Sequence, residues 1–273
     1  MQLDPIAVAA GVRVEVLGTT GSTNTQARLR ASAGATGPLW ITAITQTEGR
    51  GRHGRSWISP PGNLHASLLL RDPAPFEQAP QLAFVAALAL RDAVALEAAS
   101  LVPQLAFKWP NDLLLDGRKC AGILIEGEAA SDGAAAEKHF IVIVGIGVNC
   151  VNHPPPDDSN GFLATNLQAH GAAITPKQLF QRLSATMCAR LAQWDRGRGL
   201  PAILGDWLAH ARGIGEQIRV RNGAAEVQGR FVGLDQSGRL VLELKDGSIK
   251  TISAGDVFDF TVAGHPRIPD RPG

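Results

Sequence analysis

The spacing of hydrophobic and polar residues divides the first part of the chain into strands and helices. Strands are predicted where apolar residues alternate or run continuously for a few positions, and helices where the apolar pattern is longer or follows a capping residue. The Asp116–Gly117 pair predicts a tight turn between two strands. The predicted strands are residues 12–17, 40–46, 63–70, 107–109, 113–115, 122–126 and 140–149, and the predicted helices are residues 22–33, 81–99, 176–194 and 201–211.

The pattern changes after Gly213, where short alternating strands are separated by Asn222–Gly223, Ser237–Gly238 and Asp246–Gly247. Five short strands with tight turns predict a small β-barrel. We therefore predict a main domain at residues 1–212, a barrel at 213–262 and a proline-rich, charged tail at 263–273 that is disordered. The predicted barrel strands are residues 217–222, 227–234, 239–244, 248–252 and 256–260.

Composition narrows the class of protein. The 273 residues are 45% hydrophobic and 19% charged, which is ordinary for a soluble globular protein, and the net charge of +1 gives no field for duplex nucleic acid. Cys120, Cys150 and Cys188 lack metal-like spacing, which indicates reduced thiols in a cytoplasm. No apolar stretch approaches the roughly 20 residues needed to cross a bilayer, and no basic segment precedes an apolar run at the N-terminus. We predict a cytoplasmic protein that neither enters a membrane nor is secreted.

The most unusual stretch is Gly49–Arg55, GRGRHGR, which closes on Trp57. Glycine lets backbone N–H groups approach a ligand, and arginine offers a planar fork of donors for carboxylate and phosphate oxygens. We predict an anion-binding loop that its ligand orders. A solvated basic turn or an Arg-Gly nucleic-acid patch is the alternative, and it is less favoured because the motif occurs once and strands flank it.

A second stretch, residues 107–126, places Asn111 and Asp112 at a strand tip and Lys119 beside the hairpin. Taken singly, Asp112 fits an Asx-turn and Lys119 an exposed hairpin lysine. Ser22 or Thr23 is as readily a helix N-cap as a ligand. The last predicted strand of the main domain carries Gly145 and Gly147, which admit either a ligand or close packing.

Taken together, these residues indicate a site for a nucleotide and a carboxylate, and the chemistry such a site supports is adenylation. Two anions must be held together while charge builds on the phosphoryl oxygens, and arginine and lysine compensate that charge. The sequence lacks a Walker lysine loop, an HExxH motif and a Rossmann fingerprint, which argues against hydride and metal-hydrolase chemistry.

The motifs GRGRHGRSW, KWPNDLLLDGRKCAGILIE and GIGVN, followed by residues 213–260, closely resemble those of biotin protein ligases, also called biotin–[acetyl-CoA-carboxylase] ligases. The resemblance covers nearly the whole chain. It implies an α+β fold: a mixed sheet with flanking helices, similar to the catalytic domain of class II aminoacyl-tRNA synthetases, plus a C-terminal SH3-like barrel. It also implies conversion of biotin and MgATP to biotinyl-5′-AMP, then transfer to one lysine of a biotin carboxyl carrier protein.

The same resemblance implies a role for individual residues. Lys119, Arg52, Arg55 and Asp112 would be catalytic, and Asp112 would orient the site or its Mg²⁺. The biotin-binding residues would be Ser22, Thr23, Asn24, Gln46, Arg50, Gly51, Arg52 and Lys119. The ATP-binding residues would be Arg52, Arg55, Trp57, Asn111 and Asn149.

Two histidines depart from the family pattern: His53 stands where many relatives have arginine, and His65 where many have tyrosine. No DNA-binding domain precedes the first strand, so the chain resembles the ligase-only type and we expect no DNA partner. It is expected to be a monomer or a homodimer. A lipoate or octanoate ligase of the same fold and a non-catalytic biotinyl-adenylate sensor are the alternatives.

Overall fold

A computed structural model of the chain describes residues 1–131, 138–155, 163–222 and 225–261. The chain divides into two compact units, Met1–Ala211 and Arg212–Gly273. The tail predicted at 263–273 and the glycine of the predicted Asn222–Gly223 turn lie outside the described residues.

The first unit is built on a seven-stranded sheet in the order β1-β2-β3-β7-β6-β5-β4. The pair β1 and β2 is parallel and every other neighbouring pair is antiparallel, so the sheet is mixed, as expected. The strands are β1 Arg13–Thr20, β2 Leu39–Gln46, β3 Leu64–Arg71, β4 Leu105–Lys108, β5 Asp112–Leu115, β6 Arg118–Ser131 and β7 Lys138–Val148.

All four predicted helices of this unit are present, and a fifth, α1, was not predicted. The helix α1 has only five residues, too few for a hydrophobic period, and the side chain of Asp4 caps it. Thr175 and Gln178 form a reciprocal capping box at the start of α4, with Pro176 as its first residue. The helices are α1 Pro5–Ala9, α2 Thr23–Ser32, α3 Leu82–Glu97, α4 Pro176–Trp194 and α5 Leu200–Leu208.

The helices α3 and α4 pack on one face of the sheet. Phe180 of α4 meets Trp40 of β2 edge to face, with ring centroids 5.5 Å apart. Among the described residues, Phe76–Glu97 is the segment long and apolar enough to cross a membrane by length and composition. The prediction that no apolar stretch approaches this length was therefore wrong, but 67% of the most apolar window is buried within the fold, which is typical of a core helix.

The helix α2 covers one end of the opposite face, where Ala27 and Ala31 pack against a cluster of buried apolar residues on the strands. Beyond α2 the character of this face changes. Leu69 of β3 pairs with Ile143 of β7 under the helix, but the next two pairs along the same face are Ser67 with Gly145 and His65 with Gly147. Paired residues of antiparallel strands point to the same side. The sheet therefore presents polar groups and bare backbone beyond α2, which opens a trough.

The second unit contains a five-stranded antiparallel sheet in the order β11-β10-β9-β8-β12. Alternate residues of its strands, among them Ile218, Phe231 and Leu240, are buried. All five strands lie where the alternation predicted them. They are β8 Gln217–Asn222, β9 Ala225–Leu234, β10 Leu240–Glu243, β11 Ile249–Ile252 and β12 Asp256–Thr261.

Candidate active site

The glycine-arginine loop folds back on itself between β2 and β3. The N–H of Trp57 donates to the carbonyl of Gly49 at 2.8 Å, and the N–H of Gly51 donates to the carbonyl of Arg55 at 2.7 Å. A Cβ at Gly49 would lie 2.3 Å from the Trp57 carbonyl oxygen and 2.6 Å from Ser59 Oγ, so only glycine fits there. Gly49, one of the glycines predicted to permit close approach of a ligand, therefore also lets the loop close on its own backbone.

A polar corner forms where α2 begins above β2 and β3. Thr23 donates to Gln46 Oε1 from its backbone N–H at 2.7 Å and from its hydroxyl at 3.0 Å. The other end of the Gln46 amide donates to Ser59 Oγ at 2.8 Å. Ser22, Thr23 and Asn24 are all buried. The structure thus brings together four residues predicted to bind the same ring: Ser22, Thr23, Asn24 and Gln46.

Ser22 is the N-cap residue of α2 by its extended backbone, but its hydroxyl makes no capping hydrogen bond. Capping therefore does not account for this buried side chain, and of the two explanations open from the sequence the ligand role is favoured. Ser67 of β3, which the sequence did not single out, lies below: its hydroxyl is 2.7 Å from Thr23 Oγ1 and 2.6 Å from Asn24 Oδ1. The sequence pattern predicted this strand only as apolar, so it gave no signal for a functional Ser67.

Glu126 of β6 links the polar corner to the glycine-arginine loop, and sequence reasoning gave it no role. Asn24 Nδ2 donates to Glu126 Oε2 at 2.7 Å, and Arg50 Nη2 lies 3.6 Å from the same oxygen. Arg50 also donates to Thr25 Oγ1 at 3.2 Å, and Arg28 Nη2 lies 3.4 Å from Glu126 Oε1. Arg50 therefore contacts the polar corner through an acidic neighbour, and its predicted role in covering biotin stays a prediction.

A charged cluster lies at the opposite end of the trough. Lys108 Nζ is 2.9 Å from Asp112 Oδ2, and Lys119 Nζ is 2.7 Å from Asp112 Oδ1. Burial would raise the pKa of the Asp112 carboxyl, but the two ammonium groups outweigh it and hold that pKa below its ordinary value. Two ammonium groups against one carboxylate leave one positive charge, and Lys119 is the more exposed lysine of the two, at 30% against 9%. Lys119 is therefore an ion-paired residue of β6 rather than a free hairpin lysine.

Trp57 lies in the trough above the bare backbone. A Cβ at Gly147 would be 2.4 Å from Trp57 Nε1, and one at Gly122 would be 3.3 Å from the indole ring. Lys119 Nζ is 5.4 Å from the ring centroid, within the range of a cation–π contact. The indole N–H is buried and has no hydrogen-bond partner within the described residues.

The two asparagines predicted to face a nucleotide have different surroundings. Asn111 Oδ1 accepts a hydrogen bond from Arg52 Nη1 at 3.2 Å, which joins the loop to the strand tip. Asn149 is 2% exposed and donates from Nδ2 to the carbonyl of Thr165 at 3.0 Å. Arg55 is exposed, and its Nε donates to the Arg52 carbonyl at 3.3 Å. Asn149 is therefore fastened to the backbone, while both arginines lie at the open side.

The described residues contain no group of three His, Cys, Asp or Glu side chains that could hold a metal ion. Both oxygens of Asp112, the residue predicted to orient Mg²⁺, are paired with lysines, so a metal ion would have to displace one of them. Burial raises the pKa of the Cys120 thiol to about 12. All three cysteines are free thiols, and Cys120 is a buried packing residue despite its place beside Lys119.

Comparisons with known proteins identify the family to which the chain belongs. Residues 17–149 match the biotin/lipoate A/B protein ligase family, and residues 213–258 match the biotin protein ligase C terminal domain. A biotin–[acetyl-CoA-carboxylase] ligase of Paracoccus denitrificans is 40% identical over 246 residues, covering 89% of this chain and 99% of that protein. One of Mycobacterium tuberculosis is 33% identical, covering 90% and 88%. A biotin protein ligase from Aquifex aeolicus, solved in complex with biotin and ATP, is 26% identical with a TM-score of 0.72, covering 90% of this chain and 97% of that one.

Proposed function

Because this chain belongs to the biotin/lipoate A/B protein ligase family, we propose that it is a biotin protein ligase. It activates biotin with MgATP to biotinyl-5′-AMP and transfers biotin to one lysine of a biotin carboxyl carrier protein. The observation that carries the proposal is a single trough with a neutral polar corner at one end, a net positive lysine cluster at the other and an arginine loop alongside. A urea ring, a carboxylate and a polyphosphate are the groups these three parts suit.

In the first half-reaction a carboxylate oxygen of biotin attacks the α-phosphorus of ATP. The bond from that phosphorus to the bridging oxygen breaks, and pyrophosphate leaves with the electron pair. Lys119, whose ammonium is the more exposed one of the cluster, stabilises the carboxylate and the charge that develops on the α-phosphoryl oxygens. Arg52 covers the junction while bound to Asn111, and Arg55 assists the phosphates. Mg²⁺ enters with ATP and neutralises phosphate charge.

In the second half-reaction the neutral amine of the acceptor lysine attacks the acyl carbon, AMP leaves with the electron pair, and the amine loses a proton. The polar corner holds the ureido ring through Ser22, Thr23 and Gln46, with Asn24 completing it, and Arg50 and Gly51 cover the ring from the loop. A buried polar group left unpaired costs about 1–3 kcal/mol, so a site that pairs the polar atoms of the ureido group selects biotin strongly. Trp57 and the asparagines Asn111 and Asn149 are assigned to the nucleotide, and Asp112 orients Lys119.

The finer fold assignments belong to this proposal. We assign residues 1–212 to a catalytic domain whose sheet resembles that of class II aminoacyl-tRNA synthetases, and residues 213–262 to an SH3-like barrel. A carrier domain of acetyl-CoA carboxylase is the expected acceptor, and the cytoplasm is the expected compartment.

The test is biotin-dependent exchange of labelled pyrophosphate into ATP by the wild type, by Lys119→Ala and by Lys177→Ala, with lipoate as the second acid. We expect exchange with biotin but not with lipoate. In Lys119→Ala the exchange rate should fall about 10²–10³-fold, because a cation aimed at developing charge is removed. In Lys177→Ala the rate should not change, because Lys177 is an exposed lysine of α4. Exchange with lipoate instead would indicate a lipoate ligase. No exchange by folded wild type with Mg²⁺ present would indicate an adenylate sensor.

A further inference from the structure

His65 is a fully buried histidine of β3 with one ring nitrogen bonded and the other bare. It is 1% exposed, and its Nε2 lies 3.1 Å from the carbonyl oxygen of Pro60. A carbonyl oxygen only accepts hydrogen bonds, so Nε2 must carry the proton. Burial lowers the pKa of the His65 imidazole, which keeps the ring neutral. The other nitrogen, Nδ1, is then an acceptor, and it has no partner within the described residues.

The sheet register places His65 on the face of the sheet that forms the trough. His65 pairs with Gly147 of β7, and Gly147 pairs with Gly122 of β6, which pairs with Asp112 of β5. The four residues form one row across the sheet on one face, with Trp57 above the two glycines. Ser67, two residues further along β3, is on the same face and bonds Thr23 and Asn24. His65 therefore shares a strand with Ser67 of the polar corner and a row with Asp112 of the charged cluster.

A buried acceptor without a partner costs free energy, and the site recovers that energy only when a donor arrives. The polar corner satisfies its own members: Thr23, Gln46 and Ser67 are bonded to one another or to neighbours. Among the described residues, the buried trough atoms without a hydrogen-bond partner include the His65 Nδ1 acceptor and the Trp57 indole N–H donor. Asp112 Oδ1 also lacks a counted hydrogen bond, but it is ion-paired with Lys119 at 2.7 Å. A ligand whose N–H group reached Nδ1 would therefore satisfy a buried acceptor on this face, beside the corner.

We propose that Nδ1 of His65 accepts a hydrogen bond from an N–H group of the bound acid substrate, which makes His65 a specificity residue for acids that carry such a donor. The inference rests on the proposed function, since the two ureido N–H groups are the only donors of biotin as its carboxylate. Lipoate has no N–H group and leaves Nδ1 bare. The ring also fixes its own tautomer through Pro60, so the acceptor is present before the acid binds.

Two substitutions separate this role from a structural one. His65→Asn places an amide oxygen near the position of Nδ1 and loses the bond to Pro60, whereas His65→Gln reaches Pro60 and loses the acceptor. We expect biotin to bind about tenfold more weakly to His65→Gln, as for one lost buried hydrogen bond, and within about threefold of wild type to His65→Asn. ATP should bind both variants as it binds the wild type. Calorimetric titration of biotin and of ATP separately measures these affinities.

A purely structural histidine gives the reverse order, with His65→Asn the worse variant, and that order overturns the proposal. Weakening of ATP binding alone also overturns it, because the donor would then belong to the nucleotide. Pyrophosphate exchange by the wild type tests the proposed function separately. If the wild type catalyses exchange and both variants bind biotin as tightly as the wild type, only the role of His65 is refuted.

A spectroscopic measurement on the unaltered protein avoids any question of folding in the variants. In ¹⁵N-imidazole-labelled protein, His65 should show an unprotonated Nδ1 and a protonated Nε2, and saturation with biotin should move the Nδ1 resonance upfield. The His65→Gln spectrum assigns the signals. A protonated Nδ1, or an Nδ1 signal that biotin leaves in place, contradicts the proposal.

Discussion

The two ends of the trough use different physical means to hold a ligand. The polar corner of Thr23, Gln46 and Ser67 is made of neutral side chains that bond one another, with Thr23 and Ser67 buried and Gln46 half-buried. The cluster of Asp112 with its two lysines is charged and carries an excess positive charge. Neutral hydrogen bonds discriminate by geometry at little electrostatic cost, whereas a buried charge is costly to hold and strong when a charged ligand meets it. The first end suits recognition and the second suits chemistry.

Removing the Asp112 carboxylate should have the largest effect on stability of the changes that test this difference. In Asp112→Ala two ammonium groups lose their counter-charge, and Lys108 is the more deeply buried of them. Breaking a buried ion pair costs about 3–5 kcal/mol, and we expect the lower end because Lys119 can reach solvent. Denaturant unfolding measures the change in free energy of unfolding.

The double substitution Lys108→Met, Asp112→Leu is the control, because it removes the buried charges together. It should recover much of the stability that Asp112→Ala loses. If Asp112→Ala loses less than about 1 kcal/mol, the cluster does not hold a buried charge, and the contrast with the polar corner disappears.

The pH dependence of stability also tests whether the lysines hold the Asp112 carboxyl in its charged form. The pKa of Asp112 is lower in the folded state than in the unfolded chain, so the unfolded state binds its proton first as the pH falls. Its stabilising contribution is therefore complete above the unfolded value, about 3.9, and is lost only as the pH falls below it. Between about pH 5 and 8 the difference in unfolding free energy between wild type and the control double variant should stay constant. A slope in that window would show a raised carboxyl pKa.

The polar corner can be disrupted by adding side-chain volume, without any change in charge. A Cβ at Gly145 would lie 2.4 Å from Asn24 Oδ1, so Gly145→Ala must displace Asn24 and with it the hydrogen bond from Ser67. We expect a loss of about 1–3 kcal/mol in stability and about tenfold or more in biotin affinity, with ATP affinity kept.

Gly18→Ala is a matched control, because Gly18 is also a strand glycine and a Cβ there meets nothing within 4 Å. Its stability and biotin affinity should match those of the wild type. Equal biotin affinity in both alanine variants would show that the corner tolerates displacement of Asn24 and does not recognise by geometry.

The sequence predicted elements well and side-chain partners poorly. The strand around Gly145 and Gly147 and the Asp116–Gly117 turn are local patterns, and both are present, with positive φ at the two turn residues. The strand β6 extends past residue 126 and β7 begins before residue 140, because Gly127–Ser131 pair with Lys138–Val142 although neither GEAAS nor the KH pair has a strong apolar pattern. Pairing between strands decides such ends, and a linear pattern does not contain it.

The site shows the same limit. The predicted residues carried motif signals, and the structure gathers most of them along one trough. Ser67, Glu126 and Lys108 were missed because each is ordinary in its own segment and gains its partners only through the fold. Lys108 stood within the KWPND motif, and the i, i+4 spacing from Asp112 was the one available signal. The bare Nδ1 of His65 depends on a carbonyl five residues away and on the sheet register, so sequence alone could not reveal it.

The smallest expected effect tests whether the polar corner is truly independent of charge. Glu126→Gln keeps an acceptor for Asn24 but removes the negative charge that faces Arg50 at 3.6 Å and Arg28 at 3.4 Å. Half-exposed ion pairs contribute about 0.2–1 kcal/mol, so we expect biotin affinity within about threefold of wild type and a stability loss below about 1 kcal/mol. Glu128→Gln is the control, because Glu128 pairs with Arg28 and not with Asn24. A tenfold loss of biotin affinity in Glu126→Gln alone would mean that charge sustains the corner through Arg50, and both ends of the trough would then work by electrostatics.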